Sequence, residues 1–405
     1  MVRRLQIIVI GVALAIAAFS TGLPFLFYLL YLGLLVIGGA YVLARLGLSD
    51  LEAGYAVNQL SGHVGEQVRF TYTVRNASRV PKLFLEVHNP TSLPTGLPGR
   101  AISLGPRGER SWLVRVPLTR RGHFRVDPLV VRTGDPFGLF ESAATVGEAV
   151  TVVVYPRVDR LPFFRLPPAS IEGTRASQER TLQVTPLATS VRPYAPGDSF
   201  NRIHWPSTAR HGDIQVKEFD LEQTADAWIF LDLEQSIQGG RGEESTTEIG
   251  VRIAASVADK AIIENRAVGL TVSGGHLTLL PADRGARQHS KIMDVLAAVE
   301  ADGSTPLAEI LVSGTSRLRR GMTAVVITPS LAREWVRPLS TLRSRGVACV
   351  VITLDGHAYD DLWAGVQTPD GQNPDRRALR HALAEYDLLT FTMGPGRSIA
   401  EVMVS

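Results

Sequence analysis

The residues best suited to chemistry lie together in the stretch "VRPYAPGDSFNRIHWPSTARHGDIQVKEFD", residues 191–220. The stretch contains the triplet Gly197-Asp198-Ser199, followed by arginines, a histidine and a tryptophan. A serine nucleophile needs a base within hydrogen-bond reach. The triplet follows Pro193 and Pro196 rather than an apolar strand, and this context disfavours a catalytic serine.

The triplet is similar to the GDS block of GDSL-type hydrolases, which take their base from a D-x-x-H element. None of the nine histidines in this sequence has an aspartate three positions before it. Residues 196–199 are more typical of a β-turn in which Asp198 accepts backbone N–H bonds. We therefore predict a structural role for Asp198 and no catalytic residue in the triplet.

The residues after the turn are candidates for partner binding or for internal bracing. They are Arg202, His204, Trp205 and Arg210. We expect Trp205 to pack where a linker meets the C-terminal domain. The arginines are suited to paired hydrogen bonds with carboxylates, either internal ones, Asp198 and Glu218, or acids of a partner. Both alternatives stay open. One tryptophan is too little aromatic interleaving for a nucleic-acid site.

The composition and the absence of two catalytic motifs limit the classes of function that this sequence supports. The formal net charge of +3 is too small to indicate nucleic acid as a partner. The sequence has no G-x-x-x-x-G-K-[ST] and no H-E-x-x-H, so no ATPase or zinc-protease motif is present. The single cysteine, Cys349, lies in an apolar run and excludes an intramolecular disulfide. These absences favour a protein that is not an enzyme.

The N-terminus predicts a membrane anchor over residues 1–48. No charged residue occurs from Leu5 to Ala44, and one spanning helix needs about 20 apolar residues. The break "STGLP" divides the run into two helices, about 5–20 and 24–44. Arginines flank the run, so the positive-inside rule places both ends in the cytoplasm. A signal peptide is the alternative; a second helix would then still hold the bulk of the chain in the cytoplasm.

Residues 50–160 predict an antiparallel β-sandwich. Apolar and polar residues alternate in "QVRFTYTVR", "KLFLEVH" and "RSWLVRVPL", as in strands buried on one face. In the second of these, we place Leu83, Leu85 and Val87 on the buried face. In the turn "DPFGLF", we expect Phe137 and Phe140 to pack a loop onto the sandwich. Residues 161–224 are interpreted as a linker followed by the motif segment.

Residues 225–405 predict a doubly wound α/β domain. The continuous apolar strand "AWIFLD" is followed by the strands "AVGLTV", "TAVVIT", "VACVVITL" and "LLTF", and amphipathic helices lie between them. In such sheets, ligands bind at the carboxyl ends of the strands. Asp232 ends the first of these strands and is therefore the candidate site residue at that edge.

Three stretches, "DPFGLF", "RPYAPGDSFNRIHWPSTARHGDIQVKEFD" and "IFLDLEQS", follow the apolar hairpin in that order. In this they resemble the bacterial domain-of-unknown-function family 58 (DUF58), over nearly the whole chain. The resemblance implies that the C-terminal half is like a von Willebrand factor type A domain. It also implies a protein partner, an AAA+ ATPase of the MoxR type.

Type A domains often hold Mg²⁺ through a D-x-S-x-S element, a threonine from a later loop and an aspartate after a central strand. In this sequence Asp232 and Ser236 match the first element, but Glu234 replaces its middle serine. Thr305 is the candidate for the threonine, and no aspartate follows "VVIT". The resemblance thus implies a degenerate metal site with Mg²⁺ as the candidate cofactor. In the alternative, Asp232 only braces its loop.

We therefore expect a multi-pass cell-membrane protein whose soluble bulk is cytoplasmic and acts as a non-enzymatic adaptor. Its partners would be the lipid bilayer and a MoxR-type AAA+ ATPase, in cell-envelope or complex-assembly processes. A second hypothesis is a Mg²⁺-dependent ligand-binding protein built on Asp232. A third is an enzyme built around Asp198 and His204.

Overall fold

The computed structural model describes residues 2–135, 137–167, 190–195, 198, 200, 203–218, 226–364 and 373–404. The chain divides into two units. Unit 1 comprises Met1–Val158 with Met293–Val299, and unit 2 comprises Asp159–Ile292 with Glu300–Ser405. Predicted Arg202, and the flanks Gly197 and Ser199 of the triplet, lie outside the described residues.

Unit 1 begins with two helices, α1 (Val2–Thr21) and α2 (Pro24–Leu46), separated by the predicted break. Gly22 adopts a positive φ of 60° in this turn, and a proline at the start of α2 fixes its first residue. Of the described helices, α2 is long and apolar enough to cross a membrane, whereas the apolar part of α1, Ile8–Thr21, is shorter. One candidate membrane helix is thus present near the N-terminus, and a second crossing stays a prediction.

The strands of unit 1 follow in the order β1 (Leu51–Val57), β2 (Ser61–His63), β3 (Gln67–Asn76), β4 (Lys82–His88), β5 (Arg100–Leu104), β6 (Glu109–Pro117), β7 (Gly122–Val126), β8 (Leu129–Gly134), β9 (Glu141–Val146) and β10 (Val150–Tyr155). They form sheets of order β1-β3-β6, β5-β4-β8-β9 and β2-β10-β7 around one apolar core. All pairs are antiparallel except β2 with β10. The predicted alternation of β3 is confirmed, since Val68, Phe70, Tyr72 and Val74 are all buried.

The predicted face of β4 is wrong at its first residues. Leu85 and Val87 are buried, but Leu83 and Phe84 are 65% and 68% exposed, and Lys82 is buried in their place. The register of β4 against β5 shifts between Lys82 and Leu85, as in a β-bulge. A bulge inserts one residue into the ladder, so two consecutive side chains turn outward.

The loop "DPFGLF" also differs from its prediction as a plug. Phe137 is 57% exposed, whereas the ring of Phe140 contacts Tyr41 of α2, with centroids 5.5 Å apart. The buried carboxylate of Asp135 accepts backbone N–H bonds from Phe137, Leu139 and Phe140 at 2.8, 2.8 and 2.6 Å. Burial alone would raise the pKa of Asp135, but these bonds stabilise its charged form and hold the pKa below its ordinary value.

Lys82 fastens α2 to the sandwich. Its ammonium group donates to the carbonyl of Leu46, the last residue of α2, and to the hydroxyl of Ser49 at 3.2 Å. A cation at a helix C-terminus satisfies orphan carbonyls and interacts favourably with the helix dipole. Burial lowers the pKa of Lys82, and the nearby carboxylate of Asp50 opposes that shift.

Residues 161–167, which the sequence analysis placed in the linker, belong to unit 2 and pack there. Leu161, Phe164 and Leu166 are buried, and the ring of Phe164 meets that of Phe391 at 5.9 Å. These three buried apolar side chains hold the stretch on the core of unit 2.

The second half of the chain continues with β11 (Ser190–Pro193), α3 (Trp205–His211), β12 (Gln215–Glu218), β13 (Ala227–Leu231), β14 (Gly240–Arg241), β15 (Glu244–Ser245), α4 (Thr246–Ile263), β16 (Val268–Ser273), β17 (Leu277–Asp283) and α5 (Gly285–Ala298). It ends with α6 (Leu307–Gly314), β18 (Thr323–Thr328), α7 (Val336–Ser344), β19 (Ala348–Leu354), α8 (Gly356–Ala364), α9 (Pro374–Glu385), β20 (Leu389–Met393) and α10 (Ile399–Val402). The predicted strands at 227, 268, 323, 348 and 389 are confirmed, and β17, α6, α8 and α10 were not predicted.

Six strands form a sheet of order β17-β16-β13-β18-β19-β20, parallel except for β17. All five residues of β13 are buried because helices cover both faces. Trp228 and Phe230 pack in the cluster formed with α6, α7 and α9, while Leu231 packs against Gly250 of α4. This is the doubly wound arrangement that the sequence predicts, and its strand order reverses direction between β13 and β18.

We predict that Lys82→Met destabilises unit 1 by about 1–3 kcal/mol, because the carbonyl of Leu46 loses its donor in a partly buried position. Calorimetry of the full chain in detergent should show a lower unfolding midpoint. The exposed Lys291→Met is the matched control. An unchanged midpoint for Lys82→Met would contradict the capping role.

Candidate functional site

The candidate site lies at the carboxyl ends of β13 and β18, where the strand order reverses. Asp232 directly follows β13, and Thr328 is the last residue of β18. Open α/β sheets bind ligands in the crevice at this point, because the loops there diverge to opposite faces. The sequence therefore located the edge correctly through Asp232.

Asp232 is only 1% exposed, and both of its oxygens have partners. The hydroxyl of Thr328 donates to Oδ2 at 2.6 Å. The hydroxyl of Ser273 and the backbone N–H of Glu234 donate to Oδ1, each at 3.3 Å. The carboxyl group thus joins the ends of three neighbouring strands, since Ser273 ends β16.

Burial raises the pKa of Asp232 to about 6, because the protein interior disfavours the charged form. The hydrogen bonds from Thr328, Glu234 and Ser273 oppose this shift, and the carboxylate of Glu234 adds to it. The group therefore changes charge near pH 6 rather than near the ordinary value of 3.8.

Of the other residues of the predicted metal site, Glu234 reaches Asp232 through its backbone N–H. The hydroxyl of Ser236 donates to Oε1 of Glu234 at 2.6 Å. Thr305 is partly buried two residues after Gly303. The backbone of Gly303 does reach the first loop: its carbonyl accepts from Gln235 at 2.8 Å and its N–H donates to Leu233 at 3.2 Å.

A close approach at Gly303 holds these two loops together. A Cβ atom at this position would lie 2.1 Å from the carbonyl oxygen of Ser273 and 3.1 Å from that of Leu233. Only glycine fits such a contact. The loop that carries Thr305 is therefore fixed by its backbone, and its position does not require a bound ion.

The donor set does not fit Mg²⁺ in this arrangement. Mg²⁺ requires hard oxygen ligands in near-octahedral geometry, with carboxylates free to bind it. Both oxygens of Asp232 accept bonds from protein groups, and Ser236 is directed to Glu234. Among the described residues, no group of three or more His, Cys, Asp or Glu side chains is arranged to hold a metal. The geometry favours the bracing alternative for Asp232.

A second carboxyl group at the same edge, that of Asp355, also has its hydrogen-bond partners within the protein. Asp355 follows β19, pairs with Arg376 and accepts the backbone N–H of Ala358 at 2.9 Å. The side chains of this ion pair are 10% and 12% exposed. The pair fastens the start of α8 to α9 and offers no free acid at the edge.

In the motif segment, β11 pairs antiparallel with β12, and α3 lies between them in sequence. Asp198 accepts two parallel hydrogen bonds from Arg192, at 2.7 and 2.8 Å, and a third from the backbone of Ala195 at 2.9 Å. The predicted turn role of Asp198 agrees with these bonds. Its bidentate partner is Arg192, which the sequence analysis missed, and not Arg210.

His204 and Trp205 begin α3. Nδ1 of His204 lies 2.7 Å from the hydroxyl of Ser207 and accepts its backbone N–H at 3.3 Å, so His204 acts as the N-cap. Trp205 is 67% exposed, and its predicted packing against the domain is wrong. Its position as first residue of a seven-residue helix turns the indole outward. Arg210 is exposed in the last turn.

Thr328, Ser273 and Arg192 are the site residues that sequence reasoning missed. A usable pattern existed for the first two, because each is a hydroxyl residue at the last position of an otherwise apolar strand. Parallel neighbours end at the same edge, so such hydroxyls meet a carboxyl at the end of the strand between them.

Residues 190–358 match a family described as "Protein of unknown function DUF58". The chain is 25% identical to the uncharacterized protein YeaD of Bacillus subtilis (strain 168) over 293 residues, which is 70% of this chain and 69% of that protein. The DUF58 part of the predicted resemblance is therefore supported over the motif segment and most of the α/β sheet.

Similar solved structures cover only parts of the chain. The CARDB domain of the PF1109 protein from Pyrococcus furiosus is 18% identical over 26% of this chain and 87% of its own length, with a TM-score of 0.20. Proximal thread matrix protein 1 from the mussel byssus is 12% identical over 32% of this chain and 38% of its own, with a TM-score of 0.26. Similarities this weak carry no argument about fold or function.

We predict that Asp232→Asn removes a pH dependence of stability. The folded-state pKa is raised, so the folded chain binds more protons than the unfolded chain between pH 4 and 6. The free energy of unfolding of the natural protein should therefore fall as pH rises through this range, by about 3 kcal/mol relative to the variant. Unfolding followed at several pH values measures the difference. The exposed Asp213→Asn is the matched control, and equal slopes for Asp232→Asn and the natural protein would contradict the prediction.

We also predict that calorimetric titration of Mg²⁺ or Mn²⁺ into the full chain in detergent gives no saturable heat, because the oxygens of Asp232 are already bonded. Asp232→Ala, run beside it, should give the same trace. Saturable heat that disappears in this variant would restore the metal hypothesis.

Proposed function

We propose that the chain is a membrane-anchored, non-enzymatic adaptor whose unit 2 binds a protein partner, an AAA+ ATPase of the MoxR type. The observation that carries the proposal is a pair of exposed aromatic side chains in the segment that matches DUF58. Phe200 is 72% exposed and Trp205 is 67% exposed. Large apolar side chains that stay exposed together mark interaction surfaces.

The composition of this surface suits a protein interface. Tryptophan, tyrosine and arginine dominate the residues that carry most binding energy in such interfaces. Tyr194 stacks on Phe200, with ring centroids 6.1 Å apart, and Arg210 is exposed on the same helix as Trp205. An exposed arginine in the same short segment as exposed aromatics suits a partner surface that carries carboxylates.

The scaffold beneath the aromatics is braced. The Arg192–Asp198 pair and the β11–β12 ladder fix both flanks of the segment. A surface that is already ordered loses little conformational freedom on binding, which raises affinity for a given contact area. These two contacts support the interpretation that Asp198 braces the segment. They also support the interpretation that Trp205 binds a partner.

An enzyme built on these residues is disfavoured. Asp198 is engaged by Arg192, and His204 caps the first turn of α3 through Ser207. The His204–Ser207 contact is local to one turn, and no carboxylate orients the second ring nitrogen within the described residues. A nucleophile and base need such a third group to act as a unit.

The proposal also covers the membrane anchor and the side of the membrane on which the chain lies. We propose that both N-terminal helices cross the membrane, with the basic residues that flank them on the cytoplasmic side. Support comes from the length of α2 and from the apolar hairpin. We propose a von Willebrand factor type A-like fold for the α/β sheet, supported by its strand order and by the position of Asp232 at the reversal.

We predict that Trp205→Ala weakens binding of a MoxR-type ATPase to the full chain by about tenfold to several hundredfold, as expected for a central aromatic contact. Phe200→Ala should act in the same direction. Binding is measured by interferometry with the adaptor held in nanodiscs. Phe163→Ala removes another exposed phenylalanine of unit 2 and is the matched control. Unchanged affinity in both test variants would sink the proposed surface.

A further inference from the structure

Three large apolar side chains are exposed at the end of the sandwich from which α2 emerges. They are Leu83, Phe84 and Phe137, with exposures of 65%, 68% and 57%, and we call them the rim patch. Thr133 connects their two loops, because its hydroxyl donates to the carbonyl of Phe84 at 2.7 Å and it lies two residues before Asp135. A patch of this kind on a folded domain indicates a surface that another body covers.

The fold holds the rim patch outward with two separate devices. The bulge in β4 turns Leu83 and Phe84 to the same side, where regular alternation would bury one of them. The carboxylate of Asp135 binds three backbone N–H groups of the next loop and thereby fixes the exposed position of Phe137. Both arrangements expose apolar rings that a soluble sandwich would normally bury.

The rim patch lies beside the end of α2. Lys82, which precedes Leu83, donates to the carbonyl of Leu46, and Gly47 lies directly against the side chain of Thr133. Phe140, at the end of the Asp135 loop, contacts Tyr41. The rim patch therefore lies next to the last turns of α2, where Tyr41, Val42 and Leu43 are exposed.

Exposed basic residues occur in the turns next to the end of α2. Arg45 lies in the last turn of α2 and Arg79 in the turn between β3 and β4, where Ala77 donates to Asp50 at 2.8 Å. Arg107 joins them, since its N–H donates to Ser78 at 3.0 Å. Arginines at this level suit the phosphate groups of lipids, and apolar rings beside them suit the acyl boundary.

We propose that the rim patch is a lipid-contact surface that enters the interfacial layer of the same bilayer that α2 crosses. This inference rests on the membrane anchorage in the proposed function and adds a second contact with the membrane. A bilayer is the occupant we favour over a protein, because the patch lies next to the end of α2, the helix that is long and apolar enough to cross a membrane. The sandwich is then held in one orientation at the membrane rather than swinging on its helix.

The test uses single-cysteine variants of the full chain in nanodiscs. Leu83→Cys, Phe84→Cys and Phe137→Cys are labelled with an environment-sensitive fluorophore. Lipids with a nitroxide near the headgroup or deep in the acyl chain then quench it. The natural Cys349 is buried and its pKa is raised by burial to about 12, so it stays unlabelled. We expect shallow quenching about twofold or more above the control, in keeping with burial at the headgroup boundary.

Labels at two further positions serve as controls. Leu60→Cys is the matched control, an exposed leucine beyond the far end of β1, about 20 Å along the strand. Leu35→Cys, on the exposed surface of α2, reports the anchor itself and should be quenched by the deep nitroxide.

Each outcome separates the inference from the proposal beneath it. Rim-patch labels that behave like the Leu60 label, while the Leu35 label is quenched, would overturn the inference and leave the anchor in place. Blue-shifted rim labels that no nitroxide lipid quenches would show that protein, and not lipid, covers the patch, and would also overturn the inference. An unquenched Leu35 label would overturn the anchor and, with it, the lipid contact.

Discussion

The buried carboxyl group of Asp232 ties together the carboxyl ends of three central strands, and the shape of that sheet edge depends on it. A carboxyl group with 1% exposure must find its partners inside the protein. The hydroxyls of Ser273 and Thr328 supply them from the neighbouring strands. Because these bonds use both oxygens, Asp232 acts as a structural contact between the three strand ends.

Two shorter loops contain the same kind of contact, a carboxylate that accepts hydrogen bonds from groups within the protein. Asp135 and Asp198 each accept hydrogen bonds from groups within a few residues, and each loop carries an exposed phenylalanine, Phe137 or Phe200. A carboxylate that gathers nearby N–H or guanidinium donors makes a loop rigid without an apolar interior of its own. Such a loop can keep an aromatic ring in water, which a flexible loop would fold away.

The sequence predicts the elements well where one periodicity decides the structure. The alternation in β3 and the continuous apolar run of β13 are both found as expected. It fails where a non-local contact overrides the pattern. Lys82 turns inward to reach Leu46, which displaces Leu83, and no local rule anticipates that pairing. Asp198 was assigned correctly to a turn, but its partner Arg192 depends on how the chain folds back, which residue spacing alone does not determine.

The buried ammonium group of Lys82 has a mechanical consequence for the anchor. A charge that is removed from water is costly unless its hydrogen bonds persist, and one of these bonds is to the last carbonyl of α2. Pulling the helix away from the sandwich would leave both Lys82 and that carbonyl unsatisfied. The helix end and β4 therefore move together, and so does the bulge that exposes Phe84. This contact therefore fixes the distance between the rim patch and the end of α2.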